Sequence, residues 1–176
     1  MPFRQGKSYD EASLYEYAIG ALGRKMRSVA ELKRLLRRRV TADEYGDTLV
    51  ELVIRRLKDQ KYLNDSAYAA AYSSYRKENE KLGRMRVVSD LKVRGVHSEL
   101  IEKAVGDAYA GTSEEDLARQ YLRRKRLKKP EAPKEVARVF RALLRAGFTS
   151  GTIFKLLKKW DVDEEVLTAL DSESGS

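Results

Sequence analysis

Apolar residues recur along most of the chain at the three- and four-residue spacing of helices that bury one face. Between residues 82 and 94, for example, one such face is formed by Val87, Val88 and Leu91. Runs that alternate between apolar and polar residues, as half-buried strands do, are too short to predict a sheet. The pattern therefore predicts an all-α protein that is helical over most of residues 8–160.

Short polar signals divide this helical pattern into separate helices. Ser28 with Glu31 fits a capping box, and Asn64 or Asp65 can accept from the free N–H groups of a following helix. Gly95 can adopt the left-handed conformation that ends a helix without a Cβ clash. The central stretch, residues 61–105, is therefore predicted as helix, helix, glycine-containing turn and helix.

The same arrangement recurs along the chain. When the central group of helices is shifted by 52 residues, Leu91 falls on Leu143 and Gly95 falls on Gly147. The first group matches less well, because Arg39 occupies the glycine position. Repeats of this length predict stacked helical units. We predict three tandem three-helix repeats in an elongated, curved array, at residues 8–63, 64–111 and 112–160, with a flexible leader at 1–7 and an acidic, frayed tail at 161–176.

The composition argues against several classes of function. The chain has no cysteine and one histidine, His97, so thiolate chemistry is excluded and a histidine metal site is disfavoured. Neither glycine-rich phosphate-binding motif is present. The clustered carboxylates lie at predicted helix starts or in the tail, where acids have an ordinary electrostatic role. We therefore expect no enzymatic activity, no metal and no cofactor.

The sequence also lacks membrane signals. There is no run of 18 apolar residues, and residues 1–7 lack the apolar core of a signal peptide. We expect a cytoplasmic monomer without a membrane partner.

Positive charge is concentrated in the predicted third repeat. The chain has a net charge of +9, and fourteen lysines and arginines but two acids lie between Arg119 and Lys159. Rows of cations about 5–6 Å apart on a helix suit phosphates or carboxylates, although a solvated amphipathic face gives the same pattern. The predicted partner- or nucleic-acid-binding residues form three rows: Lys134, Arg138, Arg141 and Arg145; Arg119, Arg123 and Arg126; and Arg27, Arg34 and Arg38.

Three tyrosines share one predicted helix face. Tyr68, Tyr72 and Tyr75 could stack on bases, as aromatic residues do in single-strand binders. Their helical spacing favours burial in the core instead.

The central stretch resembles the core of the RecX family, the small bacterial regulators of the RecA recombinase. The resemblance reaches back through Ala18–Arg39 and forward to about Trp160. It lies in the order and spacing of these residues: Tyr62-Leu63-Asn64-Asp65, Ala67-Tyr68-Ala69, Tyr75-Arg76, Gly83, Leu91-Lys92-Val93-Arg94-Gly95-Val96, Ile101 and Ala104.

This resemblance implies an all-helical protein of three-helix repeats that binds in the helical groove of the RecA–single-stranded-DNA filament. It further implies inhibition of ATP hydrolysis, strand exchange and co-protease activity by RecA. Two departures from the family pattern are Arg39 at the glycine position of the first repeat and Asn64 where an acid is common. Two alternatives stay open: a stand-alone helix-turn-helix DNA-binding protein, and a basic RNA-binding or ribosome-associated protein.

Overall fold

The computed structural model describes residues 9–174, and within this range the secondary structure consists of ten helices without a strand. The all-α prediction is therefore confirmed, whereas the predicted leader at 1–7 lies outside the described residues. The helices are α1 (Glu11–Arg24), α2 (Val29–Arg37), α3 (Glu44–Asp59), α4 (Asp65–Glu78), α5 (Arg84–Val93), α6 (Ser98–Tyr109), α7 (Glu114–Arg124), α8 (Pro133–Arg145), α9 (Ser150–Lys158) and α10 (Glu164–Ser174).

Side-chain caps fix where the helices begin. The predicted capping box at α2 is confirmed: the Glu31 N–H donates to Ser28 Oγ, and the Ser28 N–H donates to the Glu31 carboxylate, both at 3.1 Å. Asn64 caps α4 by accepting from the N–H of Ala67 at 3.0 Å. Asp65 accepts from the N–H of Val29 at 2.8 Å, so it ties the start of α4 to the start of α2.

The turns at helix ends recur at a regular spacing. Left-handed residues follow α3, α6 and α9 at Lys61, Gly111 and Asp161, with φ of +61°, +67° and +59°, each 50 residues after the last. Left-handed glycines follow α5 and α8 at Gly95 and Gly147. These spacings of 50 and 52 residues are close to the 52-residue shift of the sequence pattern, whereas the left-handed residues after α4 and α7, Lys81 and Arg126, are 45 residues apart. The boundaries of the three-helix units stay a prediction.

By their contacts the described residues form two compact units. The first runs to Ala69 and adds Leu91–Leu100; the second contains Ala70–Asp90 and the residues from Ile101 onward. Leu91 and Leu143, which the repeat aligns, are both fully buried. The other fully buried large side chains are Leu14, Leu32, Leu36, Ile54 and Leu57 in the first unit and Phe140, Phe148, Ile101, Ile153 and Leu157 in the second.

The prediction of a frayed tail at 161–176 is wrong for the residues that form α10. Leu167 on this helix is fully buried against the core formed by α7, α8 and α9, and Glu164 pairs with Lys158 at 2.7 Å. The apolar face of α10 consists of few residues, including the partly buried Leu170, and is therefore hard to recognise in an acidic sequence. Helix α10 follows Asp161 as α4 follows Lys61, so it takes the place of the first helix of a further repeat.

The tyrosine face is only partly in the core. Tyr68 is buried, Tyr72 is half-buried and Tyr75 is 57% exposed. The core interpretation is therefore correct for Tyr68 and wrong for Tyr75, which lies nearly two turns further along α4.

Candidate nucleic-acid and partner interface

Helix α8 presents a row of cations opposite its buried side. Pro133 occupies the first helical position, and Val136, Val139, Phe140 and Leu143 are buried. The members of the predicted row lie on the other side and are exposed, and none of them forms an ion pair with another residue in the described range. These side chains are Lys134, Arg138, Arg141 and Arg145.

The predicted row on α7 is less uniform. Arg119 is paired with Glu115 and with Asp116, so part of its charge is neutralised. Arg123 and Arg126 are exposed. Arg126 lies in a small groove of about 210 Å³ that Arg138 of α8 also lines, together with Lys128 and Lys129. The structure therefore brings members of the α7 and α8 rows to one surface.

The predicted row on α2 belongs to the first compact unit. Arg34 and Arg38 are exposed. Arg27 is half-buried, and its Nε is buried without a hydrogen-bond partner among the described residues. Arg27 therefore differs from the other two members of its row.

The second unit also contains a cationic cleft of about 310 Å³. Its uncharged lining includes Leu82, Tyr121 and Ala142. Of the residues that line this cleft, Arg145 alone belongs to one of the three rows of cations predicted from the sequence. The charged lining of this basic cleft consists of Arg76, Arg86, Arg124, Lys125, Arg145 and one carboxylate, Glu80.

Two glycines bring the walls of the basic cleft together. The N–H of Gly83 donates to the Ala146 carbonyl at 2.8 Å, and the N–H of Met85 donates to the Gly147 carbonyl at 3.2 Å. A Cβ on Gly83 would lie 2.3 Å from the Gly147 oxygen, so the backbones can approach this closely only without one. This contact places the start of α5, with Arg86, beside the end of α8.

Asp90 orients two of the five cations. Its carboxylate lies 2.9 Å from Nη2 of Arg76 and 3.0 Å from Nε of Arg86, and it accepts from the Tyr72 hydroxyl at 3.0 Å. Burial alone would raise the pKa of Asp90, but hydrogen bonds from Arg76 and Tyr72 and the charge of Arg86 outweigh it, so the pKa lies below its ordinary value. Asp90 therefore stays ionised and holds both guanidiniums in place.

Replacing Asp90 with asparagine is expected to lower the free energy of unfolding by about 2 kcal/mol at pH 7, since it removes charge-assisted hydrogen bonds from a largely buried carboxylate. Because the folded-state pKa of Asp90 is depressed, its contribution is complete above the unfolded value of about 3.9 and is lost as the pH falls through the folded pKa. Urea denaturation at pH 7 and pH 3 should show that the variant loses less stability on acidification than the parent.

A matched control is Asp107→Asn, which removes a carboxylate whose side chain is 74% exposed and pairs with Lys103. Exposed pairs contribute little, so this variant should behave like the parent at both pH values. Equal effects of the two substitutions would contradict the role given to Asp90.

The remaining cations of the basic cleft are not neutralised. Arg124, Lys125 and Arg145 have no ion-pair partner within the part of the chain that the structure describes. Lys125 Nζ lies 5.9 Å from the centre of the Tyr121 ring. Burial raises the pKa of the Tyr121 hydroxyl, although the charges of Arg145 and Arg86 oppose this effect. The tyrosine therefore remains neutral beneath a group of positive charges.

Sequence reasoning missed most of the basic cleft because of how α7 ends. Helical spacing from Arg119 selects Arg123 and Arg126, but α7 ends at Arg124 and Arg126 is left-handed. Arg124 and Lys125 line the cleft instead. The signal available in the sequence was the unbroken basic run from Arg123 to Arg126.

The third helix of the second predicted repeat, α6, has a mainly acidic outer face. Its exposed charged residues are Glu99, Glu102 and Asp107 with one cation, Lys103. A helix that enters a DNA groove needs groups that attract phosphates. Helix α6 therefore does not present the surface of a recognition helix, whereas α3 exposes cations and acids together.

Neither a membrane span nor a metal site is found in the described range. No helix within residues 9–174 combines the length and the apolar character that crossing a bilayer requires. The same residues contain no group of three or more metal-ligating side chains. Fold and site together define an all-α protein with repeating helical turns and a concentrated basic surface.

Comparison with known proteins gives the family. Residues 64–105 match the family model described as the second three-helix domain of RecX. The "Regulatory protein RecX" of Myxococcus xanthus is 33% identical over 153 residues, covering 80% of this chain and 81% of the relative. That of Thermobifida fusca is 31% identical over 140 residues, covering 78% and 73%. The chain belongs to the RecX family of regulatory proteins.

Other relatives differ in length or are known as structures. The "Regulatory protein RecX" of Bacillus pumilus is 30% identical over 177 aligned residues. The alignment covers 92% of this chain but 65% of that relative, so the chain spans about two thirds of its length. The crystal structure of RecX from Lactobacillus salivarius has a TM-score of 0.61 at 20% identity, and the match covers 86% of this chain and 96% of the chain in that structure. A second crystal structure, of "regulatory protein RecX", has a TM-score of 0.64 at 21% identity, and the match covers 85% of this chain and 71% of the chain in that structure. Both support the all-helical fold.

Proposed function

We propose that this protein is a cytoplasmic monomer that binds the RecA–single-stranded-DNA filament in its helical groove. The bound protein inhibits ATP hydrolysis, strand exchange and co-protease activity by RecA. The observation that carries the proposal is the basic surface of the second unit, where the exposed row on α8 lies next to the basic cleft. Membership of a family of regulatory proteins supports the same role.

A binding protein of this kind needs no chemistry of its own. A ligand that binds one state of a filament more tightly than another shifts the filament toward that state. Cations on α7 and α8 suit either the phosphates of the DNA or the carboxylates of a protein groove. The proposed contact residues are therefore Lys134, Arg138, Arg141, Arg145, Arg123 and Arg126, with Arg119, Arg34 and Arg38 as weaker candidates.

The alternative of a stand-alone helix-turn-helix protein has less support. Its recognition helices would be α6 and α9, which follow the glycine turns, and the outer face of α6 is mainly acidic. Phosphates would be repelled by this face rather than attracted.

The decisive experiment measures single-stranded-DNA-dependent ATP hydrolysis by the host RecA while this protein is added. We expect inhibition at a substoichiometric ratio to RecA, because one bound molecule can affect a run of protomers in a filament. Unchanged ATP hydrolysis at an equimolar ratio, together with sequence-selective binding to duplex DNA in the absence of RecA, would instead identify the helix-turn-helix alternative.

A further inference from the structure

The basic cleft concentrates more positive charge than its own residues balance. Asp90 and Glu80 together offset the charges of Arg76 and Arg86. Arg124, Lys125 and Arg145 face the same space of about 310 Å³ without an ionic partner in the described range. Like charges held close together repel one another and raise the local positive potential. Such a cleft is stabilised when an anion enters it.

The cationic groups are also prepared for hydrogen bonding. Arg86 uses its Nε on Asp90, at 3.0 Å, which leaves the two Nη groups to donate elsewhere. Arg76 is fixed by its contacts with Asp90 and Glu80. A guanidinium that is already oriented loses less conformational freedom when it binds a phosphate oxygen.

We propose that the basic cleft is a binding site for a group of adjacent phosphates. Three unpaired cations and the partly free Arg86 match the three to four negative charges of a polyphosphate better than the single charge of a carboxylate. The phosphates can come from a free nucleoside triphosphate or from successive phosphodiesters of a single strand. The second source deepens the proposed function and rests on it, because it makes the cleft a place where the protein contacts DNA directly.

Thermal unfolding in the absence of RecA, at low salt, tests this site. The ligands are inorganic tripolyphosphate, ATP and an oligothymidylate, each measured against sodium chloride of the same ionic strength. At about 100 times the dissociation constant, binding should raise the Tm by about 5–10 °C. The variant Arg124→Ala/Lys125→Ala/Arg145→Ala should lose this rise. Its own Tm without ligand should equal or exceed that of the parent, because charge repulsion has been removed.

A matched control removes the same charge elsewhere. Lys25, Lys58 and Lys92 are exposed, lie outside every candidate site and form no ion pair among residues 9–174. The variant Lys25→Ala/Lys58→Ala/Lys92→Ala should keep the full ligand-dependent rise. If the cleft variant does not fold, the single substitution Arg145→Gln is used in its place. It removes one cation and should reduce the ligand-dependent rise in Tm.

Each outcome decides the proposal. A rise with tripolyphosphate and ATP that the cleft variant loses assigns a free polyphosphate, and a rise confined to the oligothymidylate assigns the nucleic-acid backbone. No rise with any of the three ligands, or an equal rise in cleft and control variants, overturns the proposal. RecA inhibition by a protein whose cleft binds none of these ligands would leave the proposed function standing while this inference fails.

Discussion

Replacing Gly147 with alanine is expected to lower the free energy of unfolding by about 3–5 kcal/mol, because backbone strain and a steric clash act together. Gly147 has φ of +91°, which L-residues rarely adopt. An added Cβ would lie 2.2 Å from the backbone N of Arg86 and 2.8 Å from the Gly83 oxygen. Backbone atoms cannot move aside as a flexible side chain can, so the contact between α5 and the turn after α8 would have to open.

Substitutions at two other glycines measure the backbone strain and the steric clash separately. Gly111 has φ of +67° but no atom within 4 Å of an added Cβ, so Gly111→Ala should cost about 1–2 kcal/mol from strain alone. Gly83 lacks a positive φ, but a Cβ added to it would lie 2.3 Å from the Gly147 oxygen, so Gly83→Ala should cost about 1–3 kcal/mol from the clash alone. Urea denaturation measures all three. A cost for Gly147→Ala no larger than that for Gly111→Ala would show that the close backbone contact does not matter to stability.

Reversing three charges on α8 is expected to weaken filament binding by at least about tenfold at low salt. In the variant Arg138→Glu/Arg141→Glu/Arg145→Glu, three attractive contacts become repulsive while the buried face of α8 is untouched. Each lost phosphate contact on a single strand lowers the salt slope by about 0.7, so the slope should fall by about 2. The difference from the parent should shrink at high salt, where screening already weakens binding. Association with RecA on a labelled oligonucleotide, measured by anisotropy over a salt series, reports both quantities.

The control variant Lys25→Glu/Lys58→Glu/Lys92→Glu has the same net charge as the triple α8 variant. It should keep most of the affinity if the location of the charges decides binding, and thermal unfolding of both variants checks that the fold is retained. Full affinity and full RecA inhibition by the α8 variant at low salt would identify this row as a merely solvated face.

Local patterns in the sequence were sufficient to predict most of the helices. The capping pair Ser28 and Glu31 and the buried residues Leu91 and Leu143 depend on contacts within a few residues or on one helix face, and these features were predicted correctly. Helix α10 was missed because a single buried leucine, Leu167, gives too little apolar periodicity among acids. Tyr75 was assigned to the core because it shares a helix face with Tyr68, but that face becomes exposed along α4.

The basic cleft could not be predicted in the same way. It depends on the approach of Gly83 to Gly147, which are 64 residues apart in sequence. A glycine pattern indicates a turn but does not indicate which backbone will lie against it. The cleft residues Arg76, Arg86 and Lys125 belong to three different segments, so no periodicity within one helix can group them.

The left-handed turns at Lys61, Gly111 and Asp161 have a consequence for how such chains can change in length. Because a left-handed residue of similar φ precedes the next helix in each turn, a segment copied from one turn to the next can join both neighbours without a newly evolved loop. Duplication or loss of one cassette of 50 residues is therefore conformationally simple, provided that its apolar face finds a neighbour. Members of one family can then differ greatly in size while each internal joint stays the same.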